Sequence, residues 1–387
     1  MIKIAVLTTT RAEYGLMRQL LFRMRDDPEI KLEVLVTGTH LLPQFGMTVE
    51  EIERDEIPIS EKLPIIVLRN GQVDTAKTMG NTIEVFSEFF KTCNYDFLLV
   101  DGDRYETLAV CIAAVLNHLP IIHCGGGEVT LGANDDYWRN AITKLSYLHF
   151  PIMERYKNRI IQMGESPDRV FNVGSMGLEN IRTMELADKK EVSEVVGLSL
   201  DKPYGLVTFH PVTFEKDGLE GQLQALMEAC DAVEDMQFIF TKANADHNGN
   251  LINEYIECFV SSRKDRMACV ASLGARRYLG AMKHCEFVMG NSSSGIIETP
   301  SFGVPTINIG DRQKGREQAQ SIINCEPGKT EILAAIKKAR SDSFREMCRN
   351  VKNPNGDGRA SERIVNAIKQ VHAENKITMQ KPFYDLR

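Results

Sequence analysis

Two hydrophobic periods alternate along this chain, and the alternation is run through twice. An apolar run of strand length, Ile2 to Leu7, is closed by Thr8-Thr9-Thr10, and from Arg11 to Arg25 the residues Leu16, Leu20, Leu21 and Met24 recur at helical spacing. The same reading predicts strands over Lys31–Thr37, Leu63–Leu68, Phe97–Val100, Pro120–His123 and Tyr147–Pro151. Between them it predicts helices over Asp74–Cys93, after Arg104 to about Asn117, and through Lys144, with Asp135 or Asp136 as the cap of the last. Residues 180–202 are charged, lack strand character and are assigned to an interdomain segment. The alternation then restarts with strands at Tyr204–Phe209, Gln237–Phe240, Met267–Ala271, Phe287–Met289 and Pro305–Ile309. Strands without polar alternation, each followed by a helix, require a parallel sheet covered on both faces. The expected class is therefore α/β, with two Rossmann-like domains facing a cleft. Ligands in such sheets bind beyond the carboxyl ends of the strands.

Length and charge narrow the function classes. The chain has 387 residues, enough for two domains with their own cores, and a formal charge of −7 that argues against general affinity for nucleic acid or anionic membrane. Nine cysteines are scattered, none in a CxxC pair, which fits a reducing cytosol rather than a disulfide framework. The first residues form a strand start that turns polar too soon for a signal peptide, and the apolar run Leu108–Leu116 is too short to span a bilayer. The expected location is the cytoplasm. No histidine lies at metal-ligand spacing with another His or Cys, so no metal is expected. The run Gly125–Gly127 opens no GxGxxG helix, so no dinucleotide cofactor is expected either.

The stretch from Gly290 to Glu317, GNSSSGIIETPSFGVPTINIGDRQKGRE, carries the clearest ligand signal. A strand, a small-residue turn and a helix start bring free backbone N–H groups together, and Asn291, Ser292, Ser293, Ser294 and Gly295 allow a phosphate close approach. Glu298 is placed to accept from vicinal ribose hydroxyls, and Arg312 and Arg316 to fork onto phosphate. Other polar groups fall just after expected strands: Arg11, Asp101, Asp103, His123, Glu128 and His210. Asp101, Asp103, Glu128, Asp135 and Asp136 make an excess of carboxyls on the N-terminal side, where mutual repulsion can yield one acid and one base. Of these, Asp101 reads as structural, facing a loop N–H group. His210 is placed to donate to a pyrophosphate oxygen.

Taken together, Thr10-Arg11-Ala12-Glu13-Tyr14-Gly15, Gly102-Asp103-Arg104-Tyr105-Glu106, the run His123–Lys144, Phe209-His210-Pro211, Gly290–Arg316 and the terminal Phe383-Tyr384-Asp385 resemble the hydrolysing UDP-N-acetylglucosamine 2-epimerases of the bacterial sialic and legionaminic acid pathways. The resemblance is colinear over nearly the whole chain. It implies a glycosyltransferase-B type fold: residues 1–180 on the sugar side, 181–365 binding UDP, and 366–387 packing back on the first domain. The implied reaction eliminates UDP through a 2-acetamidoglycal and then hydrates it. The implied catalytic residues are Asp103, Glu128, Asp135 and His210. Those implied to bind substrate are Arg11, Asn291, Ser292, Ser293, Ser294, Gly295, Glu298 and Arg312. A homodimer or homotetramer is implied by the same analogy. One departure stands out: the animal enzyme carries a catalytic glutamate two residues after the histidine matching His123, and this chain has Gly125 there. The substrate stays open between UDP-N-acetylglucosamine and UDP-2,4-diacetamido-2,4,6-trideoxyglucose. A glycosyltransferase on the same fold and a nucleotide-sugar binder without turnover are the competing readings.

Overall fold

A computed structural model describes all residues except 70–71, 130–133, 211–217, 243–248, 375–376 and 387, and leaves out the side chains of 72, 249 and 250. It divides into two compact units, Met1–Asn180 with Asn355–Arg387, and Ile181–Pro354. Each unit is built on a parallel sheet of six strands.

In the first unit the strands are Ile2–Thr8, Ile30–Thr37, Ile59–Leu63, Phe97–Asp101, Ile121–Cys124 and Leu148–Phe150, and their order across the sheet is 3-2-1-4-5-6. The apolar strand runs serve two cores at once. Ile4, Val6, Phe97 and Leu99 pack on one face with Met17, Leu20 and Leu21 of the helix Arg11–Arg25 and with Ile364 and Ile368 of the helix Ala360–Ala373. Ala5, Leu7, Leu98 and Val100 face the other way, against Phe86 and Phe90 of the helix Thr75–Phe90 and Val110 and Ala114 of the helix Tyr105–Leu116. A period of two on a strand buried on both faces therefore leaves no polar alternation in the sequence.

The second unit repeats the order 3-2-1-4-5-6 with Tyr204–Thr208, Gln237–Thr241, Met267–Val270, Phe287–Gly290, Thr306–Ile309 and Ile322–Cys325. Val207, Phe238, Phe287 and Met289 fill one core, and Tyr204, Leu206, Ile239 and Val288 fill the other. In both units the strand order reverses between the first and fourth strands, Ile2–Thr8 beside Phe97–Asp101 and Tyr204–Thr208 beside Phe287–Gly290. Such a reversal opens a crevice at the strands' carboxyl ends.

Three expectations are corrected. The third strand is Ile59–Leu63, not Leu63–Leu68; Ser60, Glu61 and Lys62 make it an exposed, charged edge without an apolar run, while Leu68–Arg69 pair antiparallel with Gln72–Val73. The charged stretch 180–202 is not merely a connector. It contains the helix Lys189–Val196, capped by Asp188 and stopped by left-handed Gly197, whose Val192 and Val196 join Leu198 and Leu200 in a core. Neither Asp135 nor Asp136 is the cap of the helix Asp135–Leu145: Asn134 holds that position, and both aspartates lie in the first turn.

Candidate active site

In the first unit, the ends of the first and fourth strands bring acidic groups together. Thr10 caps the helix Arg11–Arg25, and Glu13 folds back over it, accepting from Thr9 N at 2.8 Å, Thr10 N at 3.2 Å and Thr9 Oγ1 at 2.9 Å. Burial pushes the Glu13 carboxyl up to about 7 against the lowering effect of these bonds. Asp101 closes its strand in a buried position. Its carboxyl is driven well above the usual range by burial first, then by Glu13, Asp103 and Glu128. Burial and three neighbouring carboxyls thus favour its protonated form.

Arg139 organises the neighbouring carboxyls. It is 3% exposed, forms an ion pair with Asp103, bonds Asp136 Oδ1 at 2.6 Å and donates to the Glu128 carbonyl at 3.0 Å. Asp135 is shifted upward, by burial first and then by Asp103, with Arg139 and Arg104 opposing. Arg104 itself is anchored on fully buried Glu106 at 2.7 Å. His123 is buried, with Nε2 2.9 Å from the Gly102 carbonyl and Nδ1 3.1 Å from Thr143 Oγ1, and burial takes it down to about 3, so the ring is neutral. Gly125 has φ +81°, a left-handed conformation that a glutamate would adopt only under strain. A Cβ built there would lie 3.7 Å from Asp101 Oδ1. Arg11, at the start of its helix, is largely exposed, 3.8 Å from Glu51.

In the second unit three strand ends meet. Gly290 pairs with Thr208 and has φ +131°; a Cβ there would stand 1.9 Å from the Thr208 carbonyl oxygen, so the next residue reaches the neighbouring strand only because 290 is glycine. Asn291 follows, 1% exposed, and its carboxamide binds the backbone of His210 on both sides. Arg312 and Gln313 donate to the Asn291 carbonyl at 2.9 and 2.8 Å. Ser292 caps the short helix Ser293–Ile297, and Gly295 abuts Thr306, whose hydroxyl donates to its carbonyl at 2.8 Å. Glu298 has a buried Oε2 with no hydrogen-bond partner among the described residues, and burial pushes its carboxyl up to about 7 although Ser294 bonds it. Pro211, and residues 130–133 of the His123–Lys144 run, lie outside the described residues.

Asp101, Asp103, Glu128, Asp135 and Asp136 interact with one another or with Arg139, and His210, Asn291 and Arg312 form one hydrogen-bonded group. Sequence reasoning missed Arg139, the Arg104–Glu106 pair and Glu13. The Thr10-x-x-Glu13 spacing of a capping box was a usable signal for Glu13. Nothing local marks Arg139, whose partners are gathered by the sheet. Among the described residues no group of three or more His, Cys, Asp or Glu is arranged to hold a metal, and no helix is long and apolar enough to cross a membrane.

Two doubly wound parallel sheets, each with its strand order reversing between the first and fourth strands, define a two-domain α/β protein of the glycosyltransferase-B type. A solved Listeria monocytogenes chain, described as a putative UDP-N-acetylglucosamine 2-epimerase, shares the fold with a TM-score of 0.81 at 20% identity, covering 99% of each chain. The family model for UDP-N-acetylglucosamine 2-epimerase matches residues 23–369. A Campylobacter jejuni protein named GDP/UDP-N,N'-diacetylbacillosamine 2-epimerase (hydrolyzing) is 40% identical over 89% of both chains. The polysialic acid biosynthesis protein P7 of Escherichia coli is 38% identical over 99% of this chain and 97% of its own. The chain belongs to the UDP-N-acetylglucosamine 2-epimerase family.

Proposed function

We propose that the chain is a hydrolysing 2-epimerase that turns UDP-N-acetylglucosamine and water into N-acetylmannosamine and UDP for sialic acid-type sugar synthesis, acting in the cytoplasm as a homo-oligomer. A base takes the C2 proton while the C1–O bond breaks and UDP leaves with its electron pair, giving a 2-acetamidoglycal. Water then adds hydroxyl at C1 and a proton at C2 from the opposite face. The elimination needs an ionised carboxylate and the hydration a protonated one. The observation that carries this reading is the unequal setting of the first unit's carboxyls: Asp103 is ion-paired with Arg139, while Asp135 is pushed upward by burial. Glu128 completes the proposed acid/base set. On the nucleotide side, His210 donates to the departing pyrophosphate, and Ser292, Ser293, Ser294 and Gly295 surround phosphate. Glu298, with its unpartnered buried oxygen, accepts from the ribose hydroxyls. Arg312 and Arg11 supply cationic contacts to the nucleotide and phosphates.

A second reading keeps the same reaction on UDP-2,4-diacetamido-2,4,6-trideoxyglucose. The name of the Campylobacter relative at 40% identity favours it. Incubation with each nucleotide sugar in D₂O, with UDP and free sugar measured, tests both. The expected product carries deuterium at C2. Release of no UDP from either sugar sinks the proposal. Turnover that needs an acceptor and leaves C2 protonated points to a glycosyltransferase, and tight UDP binding without product points to a binding protein.

A further inference from the structure

At the end of the second unit's central strand pair, regular pairing stops at Thr208 and Gly290. Beyond it a side chain takes over. Asn291 N–H still donates to the Thr208 carbonyl at 3.2 Å. Its Oδ1 then accepts from His210 N at 2.7 Å, and its Nδ2 donates to His210 O at 2.8 Å. A carboxamide has the planar donor-and-acceptor layout of a peptide group, so it closes a ring with one backbone residue as a neighbouring strand would. Asp at this position has the acceptor without the donor, Ser is too short, and Gln carries an extra methylene.

We infer that Asn291 is a positioning residue for His210, holding the backbone that carries the imidazole rather than touching the nucleotide. Both faces of its amide are engaged with His210 inside the protein, and the residue is 1% exposed. On this inference Asn291 supports the site from behind instead of contacting substrate. The same residue links His210 to the loop after Ile309, because Arg312 Nη1 and Gln313 Nε2 both bond the Asn291 carbonyl. Gln313 is 2% exposed, so the support is itself fixed by packing. Hydrogen bonds that set a catalytic side chain from behind act on turnover through geometry, and a displacement of about 1 Å can cost about 100-fold in rate. The inference rests on the reading that His210 assists the departing pyrophosphate.

The test is a double-mutant cycle on the full chain. Asn291→Asp, His210→Ala and the double variant are assayed for UDP release with whichever nucleotide sugar the wild type turns over. UDP affinity is measured by calorimetry and folding by thermal melting. The expected result is a kcat for Asn291→Asp lower by about 10- to 100-fold, with UDP affinity within about threefold of wild type. The double variant should be no slower than His210→Ala alone, because a residue acting through His210 has nothing left to position. Should Asn291→Asp not fold, Asn291→Ser is read the same way. Losses that multiply in the double variant overturn the inference. Weakened UDP binding at unchanged kcat also overturns it, as does unchanged activity per folded molecule. A wild type that releases UDP from neither sugar removes the functional reading and this inference with it; an active wild type with an additive cycle removes the inference alone.

Discussion

At Glu298 burial bears directly on the proposed ribose contact. Its carboxyl, pushed up to about 7 by burial, keeps its proton in the free protein below that pH. A group accepting from two ribose hydroxyls favours the ionised form, so UDP uptake should release a proton and affinity should fall as pH drops through 7. Calorimetry at about pH 6 and 8 should show this in wild type, and a flatter response in Glu298→Gln. Protons held by Glu298 and Glu13 also contribute stability that is complete below pH 4.5, their usual value, and lost as pH rises through about 7. Arg139→Met should leave Asp103 and Asp136 without their buried partner, destabilising the fold by roughly 3 kcal/mol in denaturant titration. That is the low end for a broken buried pair, because both aspartates keep some solvent access. Glu128→Gln should lower turnover about 100-fold if Glu128 answers for the missing glutamate at Gly125. Wild-type turnover in that variant would shift attention to Asp101, the carboxyl beside Gly125.

Among the elements, the strand–turn–helix from Phe287 to Ile297 was legible because its signals are local: an apolar run, a glycine and a serine cap. Gly290 carries the geometry. Gly290→Ala would set a methyl 1.9 Å from the Thr208 carbonyl at φ +131°, and should destabilise the protein by about 3 kcal/mol or more, read as a lower melting temperature or loss of soluble protein. The edge strand Ile59–Leu63 and the helix Lys189–Val196 were illegible for opposite reasons. The strand is exposed, so its side chains carry no burial pattern. The helix buries only Val192 and Val196 behind a charged face, so its polar surface resembles a connector.

For the whole molecule, the C-terminal segment belongs to the unit that opens the chain. Lys381 donates to Glu165, 216 residues earlier, at 2.9 Å, and to the carbonyls of Lys144 and Ser146. Glu165 is fully buried; burial raises its carboxyl, but His149, Lys144 and Lys381 hold it down at about 2. Removing one cation with Lys381→Met should cost about 2 kcal/mol, seen as a lower melting temperature. Wild-type melting of that variant would mean that Lys144 and His149 suffice. The stability this network contributes is present above pH 4.5 and lost as pH falls through about 2.

The sequence by itself determined the two runs of strand and helix, the parallel class, and most residues that end up at strand carboxyl ends, because strand length, helical period and turn chemistry act between near neighbours. Only the tertiary structure decided what those residues do to one another. The pairing of Asp103 with Arg139 spans 36 residues, and the clamp of Asn291 on His210 spans 81. Hydrogen bonds and carboxyl shifts depend on distance and burial in space, and those exist only once the sheet has ordered its strands.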